Sequence, residues 1–119
     1  MNRSAKVALA DDLFRKRIRS RGFCQARGFL PYIRCGGILE TSHVMPRRFM
    51  SVRWDDENAA SICSIHHGWL TDNPHKAIDF HERLLGPERF AALKARAWEA
   101  NGAPDMDEII MRLRREEIR

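Results

Sequence analysis

No apolar run in this chain approaches the ~18 residues that a membrane-spanning helix requires, so no membrane partner is expected. The N-terminus also lacks the apolar stretch of a secretion signal: Arg3 and Lys6 are soon followed by Asp11 and Asp12. There is no internal repeat and no low-complexity tract. Cysteine occurs only three times. Three thiols cannot all pair within one chain, and two histidines follow the last of them. Thiolate metal ligation in a reducing cytosol is therefore expected in place of a disulfide framework. What is present is ordinary for a folded protein. Hydrophobic residues make up 44% of the chain, three of them tryptophan, and 119 residues suit one domain with one modest core.

Charge is distributed unevenly. Residues 1–54 carry 12 Lys and Arg against 3 Asp and Glu; residues 55–119 carry 9 against 13. A basic half joined to an acidic half predicts a polyanionic partner on one side, with nucleic acid the first candidate.

The apolar spacing predicts a basic N-terminal helix from about residue 5 to 20, with Val7, Ala10, Leu13, Phe14 and Ile18 on one stripe. A glycine-punctuated irregular stretch follows, holding Cys24 and Cys35. Ile38 to Val44 reads as a short strand, residues 46–57 as a basic loop, Ala59 to Cys63 as a second strand and Ser64 to about Leu70 as a short helix. The last third is helical. Asn73 and Pro74 mark one start as N-cap and first residue, and Gly86 marks the stop. Pro87 starts the next helix, which runs until Asn101-Gly102. A third begins at the capping-box-like Asp105-x-x-Glu108 and carries Ile109, Ile110, Leu113 and Ile118. Its apolar side is expected to fold back on the domain, with dimerisation the alternative.

The chemistry lies between Cys24 and His67. Cys63 and His66 are three apart at a strand-to-helix junction, so both side chains can turn towards one ion. Cys24 and Cys35 would complete a three-cysteine, one-histidine tetrahedral set, which suits structural zinc. His67 is turned about a third of a helical circle from His66 and can face the opposite way, towards His43 at the end of the first strand. Two imidazoles so placed can divide the work of phosphodiester hydrolysis: one takes a proton from water and the other holds a divalent ion. Asn58, just before the second strand, is suited to bonding the backbone of the loop that carries His43.

The stretch Cys35-Gly36, Ser42-His43-Val44, Arg53-Trp54-Asp55-Asp56-Glu57-Asn58 and Cys63-x-x-His66-His67 resembles the HNH endonuclease family, in particular its small bacteriophage and prophage members. The likeness covers residues 24 to 98. It implies an α+β, mostly helical fold built on a ββα-metal hairpin-plus-helix core with a structural zinc. The single domain would consist of a basic N-terminal helix (1–22), the zinc and ββα-metal core (23–72) and a helical tail (73–119). The implied activity is metal-dependent DNA cleavage of low sequence specificity in the bacterial host cytoplasm. His43 would be the general base, and Asn58 would orient the hairpin loop. His67 would be the ligand of a catalytic magnesium, manganese or nickel ion, and Cys24, Cys35, Cys63 and His66 the zinc ligands. Arg47, Arg48 and Arg53 in the loop would contact DNA phosphates, with Arg15, Lys16, Arg17 and Arg19 reaching further along the backbone.

Two positions depart from the family's pattern. Ser42 stands where an acidic residue or histidine usually adds a second protein ligand to the ion. Tyr32 stands where the first knuckle would have its first cysteine, leaving only the more distant Cys24. The departure at Ser42 keeps open an arrangement in which His43 is itself the ligand. It also keeps open a non-catalytic zinc-stabilised module that binds DNA, or a phage packaging or recombination protein. A toxin or restriction nuclease acting on foreign DNA is a third reading.

Overall fold

A computed structural model describes residues 1–99 and 102–117, with the side chains of 116 and 117 left out. The expected elements at Asn101 and Ile118 lie outside the described residues. The architecture is α+β and dominated by helices, with one small antiparallel sheet. Helix α1 (Arg3–Arg19) leads through an irregular segment into strand β1 (Leu39–His43). A turn-rich loop ends in a 3-10 turn at Asp56–Asn58 and feeds strand β2 (Ala59–Cys63). Helix α2 (Ser64–Asp72) follows without a break, then α3 (Pro74–Leu85), α4 (Pro87–Ala97) and α5 (Met106–Glu117). Among the described residues no helix is long and apolar enough to cross a membrane.

β1 and β2 pair in antiparallel register from Leu39 opposite Cys63 to His43 opposite Ala59. Every residue of β2 is buried, because α1 covers one face of the hairpin and α2 with α3 the other. The α1 stripe packs as its spacing predicts. Ala10, Phe14 and Ile18 join Trp54, Met106, Ile110 and Leu113 in one cluster, so α5 folds back on α1. A second cluster, with Ile62, Leu70 and Phe80, sits under the hairpin beside Cys24 and Cys63. A third joins Val52 of the loop to Leu93 and Ala97 of α4.

One helix start differs from the sequence expectation. Asn73 precedes α3 but makes no side-chain cap; its Nδ2 instead donates to the Trp69 carbonyl at 2.8 Å, closing the end of α2. Pro74 has no N–H to satisfy, and the Lys76 and Ala77 N–H groups donate to the Asn73 carbonyl at 2.9 and 3.1 Å, so the Asn73 side chain is available to the preceding helix. Asp105, by contrast, caps α5 as expected, accepting from the Asp107 and Glu108 N–H groups at 3.0 and 3.3 Å.

The loop between the strands is anchored by Asp11 of α1, which is buried. Its carboxylate accepts from Arg53 (2.6 and 3.0 Å), from Trp54 Nε1 (3.0 Å) and from Arg47. Burial alone would raise the Asp11 pKa, but the hydrogen bonds and charges of Arg53 and Arg47 outweigh it and hold it below the usual 3.8. With the folded pKa depressed, this stabilisation is present above the unfolded pKa and is lost as pH falls through the folded one. Asp11→Ala should therefore cost about 2 to 3 kcal/mol at neutral pH, since it strands a largely buried guanidinium and an indole N–H. Urea melts at pH 7 and pH 3 check this: the gap between variant and wild type should shrink in acid.

Candidate metal centre and active-site cleft

Three segments that are distant in sequence converge on His66. Gln25 stitches the first beside β2, its N–H donating to the Ser61 carbonyl at 2.8 Å and its Oε1 accepting from Ser61 N–H at 2.9 Å. This brings Cys24 against the end of the strand, where its sulfur accepts from Cys63 N–H at 3.3 Å. The second segment, 35–38, lies on the first turn of α2. Ser64 N–H donates to the Ile38 carbonyl at 2.9 Å, and Ile65 N–H to the Gly36 carbonyl at 3.3 Å. The approach is close enough that a Cβ on Gly37 would sit 2.7 Å from Ser64 Cβ, and Gly37 has φ +78°, so only glycine fits. The third segment is the β2–α2 junction itself, carrying Cys63 and His66.

The ligand atoms of Cys24, Cys35, Cys63 and His66 all lie within 4.8 Å of one another. Among the described residues this is the one group of three or more such side chains close enough to share an ion. Three sulfurs and a nitrogen at ~2.3 and ~2.0 Å from a common centre would be ~3.5 to 3.8 Å apart, so the set fits a tetrahedral zinc. The histidine tautomer fits as well. His66 is fully buried, and its Nε2 is 2.6 Å from the Ile33 carbonyl, which can only accept. The proton therefore belongs on Nε2, and the Nδ1 lone pair faces Cys24 (3.2 Å) and Cys35 (3.6 Å). The thiols are electrostatically interdependent. Desolvation and then the Cys24 and Cys63 sulfurs push the Cys35 pKa up to about 11. Burial opposes ionisation of Cys63 too, but the His66 and Gly36 backbone and the neighbouring thiols outweigh it, and its pKa is lowered. A divalent cation would remove this conflict by compensating all the thiolates at once. The centre can hold a metal such as zinc.

His67, the next residue, turns the other way. It lines a cleft of about 520 Å³ together with Ser42, His43, Met45, His81, Phe90 and Lys94. Its Nδ1 lies 2.9 Å from Glu40 Oε1. A carboxylate accepts, so Nδ1 carries a proton, and in the neutral ring Nε2 is the nitrogen with the lone pair. His43 is half-buried at the end of β1, its ring tilted against Phe14 at 5.7 Å. Burial and then the Arg47 charge depress its pKa below the usual 6.5, against a backbone hydrogen bond to Arg53 and the Asp11 charge, which raise it. His43 is therefore a neutral imidazole near pH 7.

Asn58 is fully buried beneath the start of the loop. Its Oδ1 accepts from Met45 N–H at 2.7 Å and its Nδ2 donates to the Met45 carbonyl at 3.2 Å, while its own carbonyl accepts from Val44 N–H at 2.9 Å. These bonds fix the backbone immediately after His43. Comparison of the chain with protein-family models, with curated proteins and with solved structures found no match in any of the three. The functional reading therefore rests on this geometry.

Two groups, Glu40 bonded to His67 and His81 lining the cleft, carried no sequence signal of function. Glu40 reads as a solvated strand position, and His81 as one polar residue in an amphipathic helix. His81 is 5% exposed, and its pKa falls to about 4, chiefly through burial and then through the His43 and His67 charges.

The basic residues divide into two sets. Arg53 is held by Asp11, and Arg17 makes a two-pronged pair with Asp56 at 2.6 and 2.8 Å. Arg47 also reaches Asp11 but its side chain remains 53% exposed. Arg15 and Lys16 flank Asp12 on the open side of α1, at 3.8 and 3.1 Å. Arg19 is exposed, and Arg48 is exposed with its guanidinium 4.7 Å above the Phe49 ring.

Proposed function

We propose that the chain is a metal-dependent endonuclease of the HNH type, hydrolysing DNA phosphodiester bonds with low sequence specificity. The observation that carries this reading is a single cleft lined by His43 from β1 and His67 from α2, each with one ring nitrogen available. Asn58 ties down the intervening backbone, and a Cys3His metal centre lies one residue from His67. A hairpin followed directly by a short helix, with this order of residues, is the arrangement the HNH resemblance implies.

The residues then act as follows. His67 would hold a divalent cation through Nε2, oriented by Glu40. When bound, such a cation offsets the charge that builds on the non-bridging and leaving oxygens of the phosphate. His43, neutral at pH 7, accepts a proton from the attacking water as its oxygen bonds to phosphorus. The P–O bond to the departing sugar breaks, and solvent returns a proton to the leaving oxygen. Cys24, Cys35, Cys63 and His66, with a metal bound, would tie the 20–38 segment to the β2–α2 junction that carries His67. Phosphate contacts are assigned to Arg15, Lys16, Arg19, Arg47 and Arg48. Arg17 and Arg53 act by holding the loop.

Nicking of supercoiled plasmid by wild type and His67→Ala, with manganese, magnesium or no added metal, tests the reading. Metal-dependent nicking lost in the variant supports it. DNA binding without cleavage in any metal favours the alternative, a zinc-stabilised binding module in phage recombination or packaging, to which Ser42 points. The pH profile is a separate check. Because the His43 pKa is depressed, the base stays unprotonated to a lower pH than an ordinary histidine does. The rate should therefore rise through a midpoint below pH 6.5 and be flat at pH 7, whereas a midpoint above 7 would exclude His43 as the base.

A further inference from the structure

His81 has no part in the reaction as written above, yet its setting is unusual. It is 5% exposed in the middle of α3. Its ring contacts that of Phe80 at 4.9 Å, and among the described residues neither ring nitrogen has a hydrogen-bond partner. The only fully enclosed side-chain polar atom without a partner among those residues is Ser61 Oγ, so the His81 nitrogens are not completely sealed, and the residue lines the cleft. Leaving a nearly buried imidazole unpaired is costly, and native structures keep such groups for a water, an ion or a reaction. On the proposed HNH reading, the position of Ser42 would supply a second ligand to the cleft's ion. Ser42 is buried at the end of β1 and offers only a hydroxyl, a weak ligand for a divalent ion.

We propose that His81 is a second protein ligand of the cleft's divalent cation, joining His67 from across the α2–α3 junction and replacing the ligand that Ser42 does not supply. The proposal rests on the nuclease reading for the ion's purpose, but not for its binding. Glu40 holds the proton of His67 on Nδ1, leaving Nε2 for the ion. α2 and α3 pack directly on each other, and both histidines line the same cleft. His81 lies within electrostatic reach of His67 and His43. Two protein ligands leave the remaining coordination positions to water and phosphate oxygens, as a catalytic ion requires. The donor pair also sets the metal preference. Two imidazoles favour manganese, cobalt and nickel, with affinity rising in that order, over magnesium, which prefers an all-oxygen shell.

The test reads binding, not cleavage. Protein carrying one equivalent of zinc is titrated with manganese, and free manganese is followed by electron paramagnetic resonance. Wild type should bind one manganese ion. His81→Gln and His67→Ala should each bind it about tenfold more weakly or worse. His75→Ala, an exposed histidine on the same helix, should bind as wild type does. His81→Gln binding as tightly as wild type, or a wild type with no manganese site, overturns the proposal. Zinc content and melting temperature report whether the variant is folded. If it is not, ring-nitrogen NMR of histidine-labelled wild type with cadmium added to the zinc-loaded protein decides. His67 and His81 should shift together, and a shift of His67 alone overturns the proposal. Failure of the nuclease reading would look different: manganese bound through both histidines, and DNA left uncut.

Discussion

Replacing His43 by alanine is expected to lower the rate of manganese-dependent DNA cleavage about 10²- to 10⁴-fold, the usual contribution of a positioned general base. Zinc content should not change, because none of the Cys3His donors touches this ring, and DNA affinity should stay near that of wild type. The stability cost should be small. The ring is only half-buried, and its aromatic contact with Phe14 is one edge of a larger cluster. The same geometry distinguishes His43 from His67. His67→Ala should weaken metal affinity together with rate, whereas His43→Ala should lower the rate at saturating metal. Added imidazole should partly restore cleavage to His43→Ala if the ring's sole task is proton transfer. If His43→Ala instead loses metal affinity, the roles are exchanged and His43 is the ligand.

The second large effect concerns zinc. Removal of zinc, or Cys63→Ala, should destabilise the protein by about 4 kcal/mol or more. For a chain of this size that corresponds to roughly 15 °C or more in melting temperature. The physical reason is the segment between α1 and β1, residues 20–38, which contains no helix or strand. Its side chains leave Phe23, Tyr32 and Ile38 largely in solvent, so it buries too little to order itself. The metal cluster substitutes for the missing core, tying Cys24 and Cys35 to the β2–α2 junction. Cys35→Ser should cost less than Cys63→Ala, because Cys35 is exposed whereas Cys63 also caps α2, accepting from His66 N–H at 3.4 Å. Thermal melts with and without a strong chelator, alongside a zinc assay, measure both. An unchanged melt after complete zinc removal would show that the hairpin holds itself.

Much of this architecture can be read from the chain because its punctuation is local. The strand from Ala59 to Cys63, the helix starts at Pro74 and Pro87 and the stop at Gly86 all follow from neighbouring residues. The metal cluster was legible through residue chemistry: three thiols and the Cys63–His66 spacing leave few other partners. What could not be read depends on side chains meeting across long separations. Asp11 and Arg53 are 42 residues apart, and nothing in either segment foretells that α1 presents one carboxylate to two arginines. A count of arginines thus overstates the surface open to DNA, since Arg17 and Arg53 are engaged in holding the loop. Glu40 was equally hidden, because an acid on a two-residue period looks like solvent exposure until His67 is placed above it. His81 was hidden for a different reason. The helical period marks α3 as packing, and periodicity says nothing about which polar residue of a buried face lines a cleft.

The most direct test of the central claim compares zinc-loaded wild type and His43→Ala on supercoiled plasmid in saturating manganese, with DNA binding measured on the same samples. The account predicts nicking by wild type, a loss of about 10²-fold or more in the variant, and equal DNA affinity. Equal cleavage by the two proteins, or none by either while both bind DNA, would contradict it.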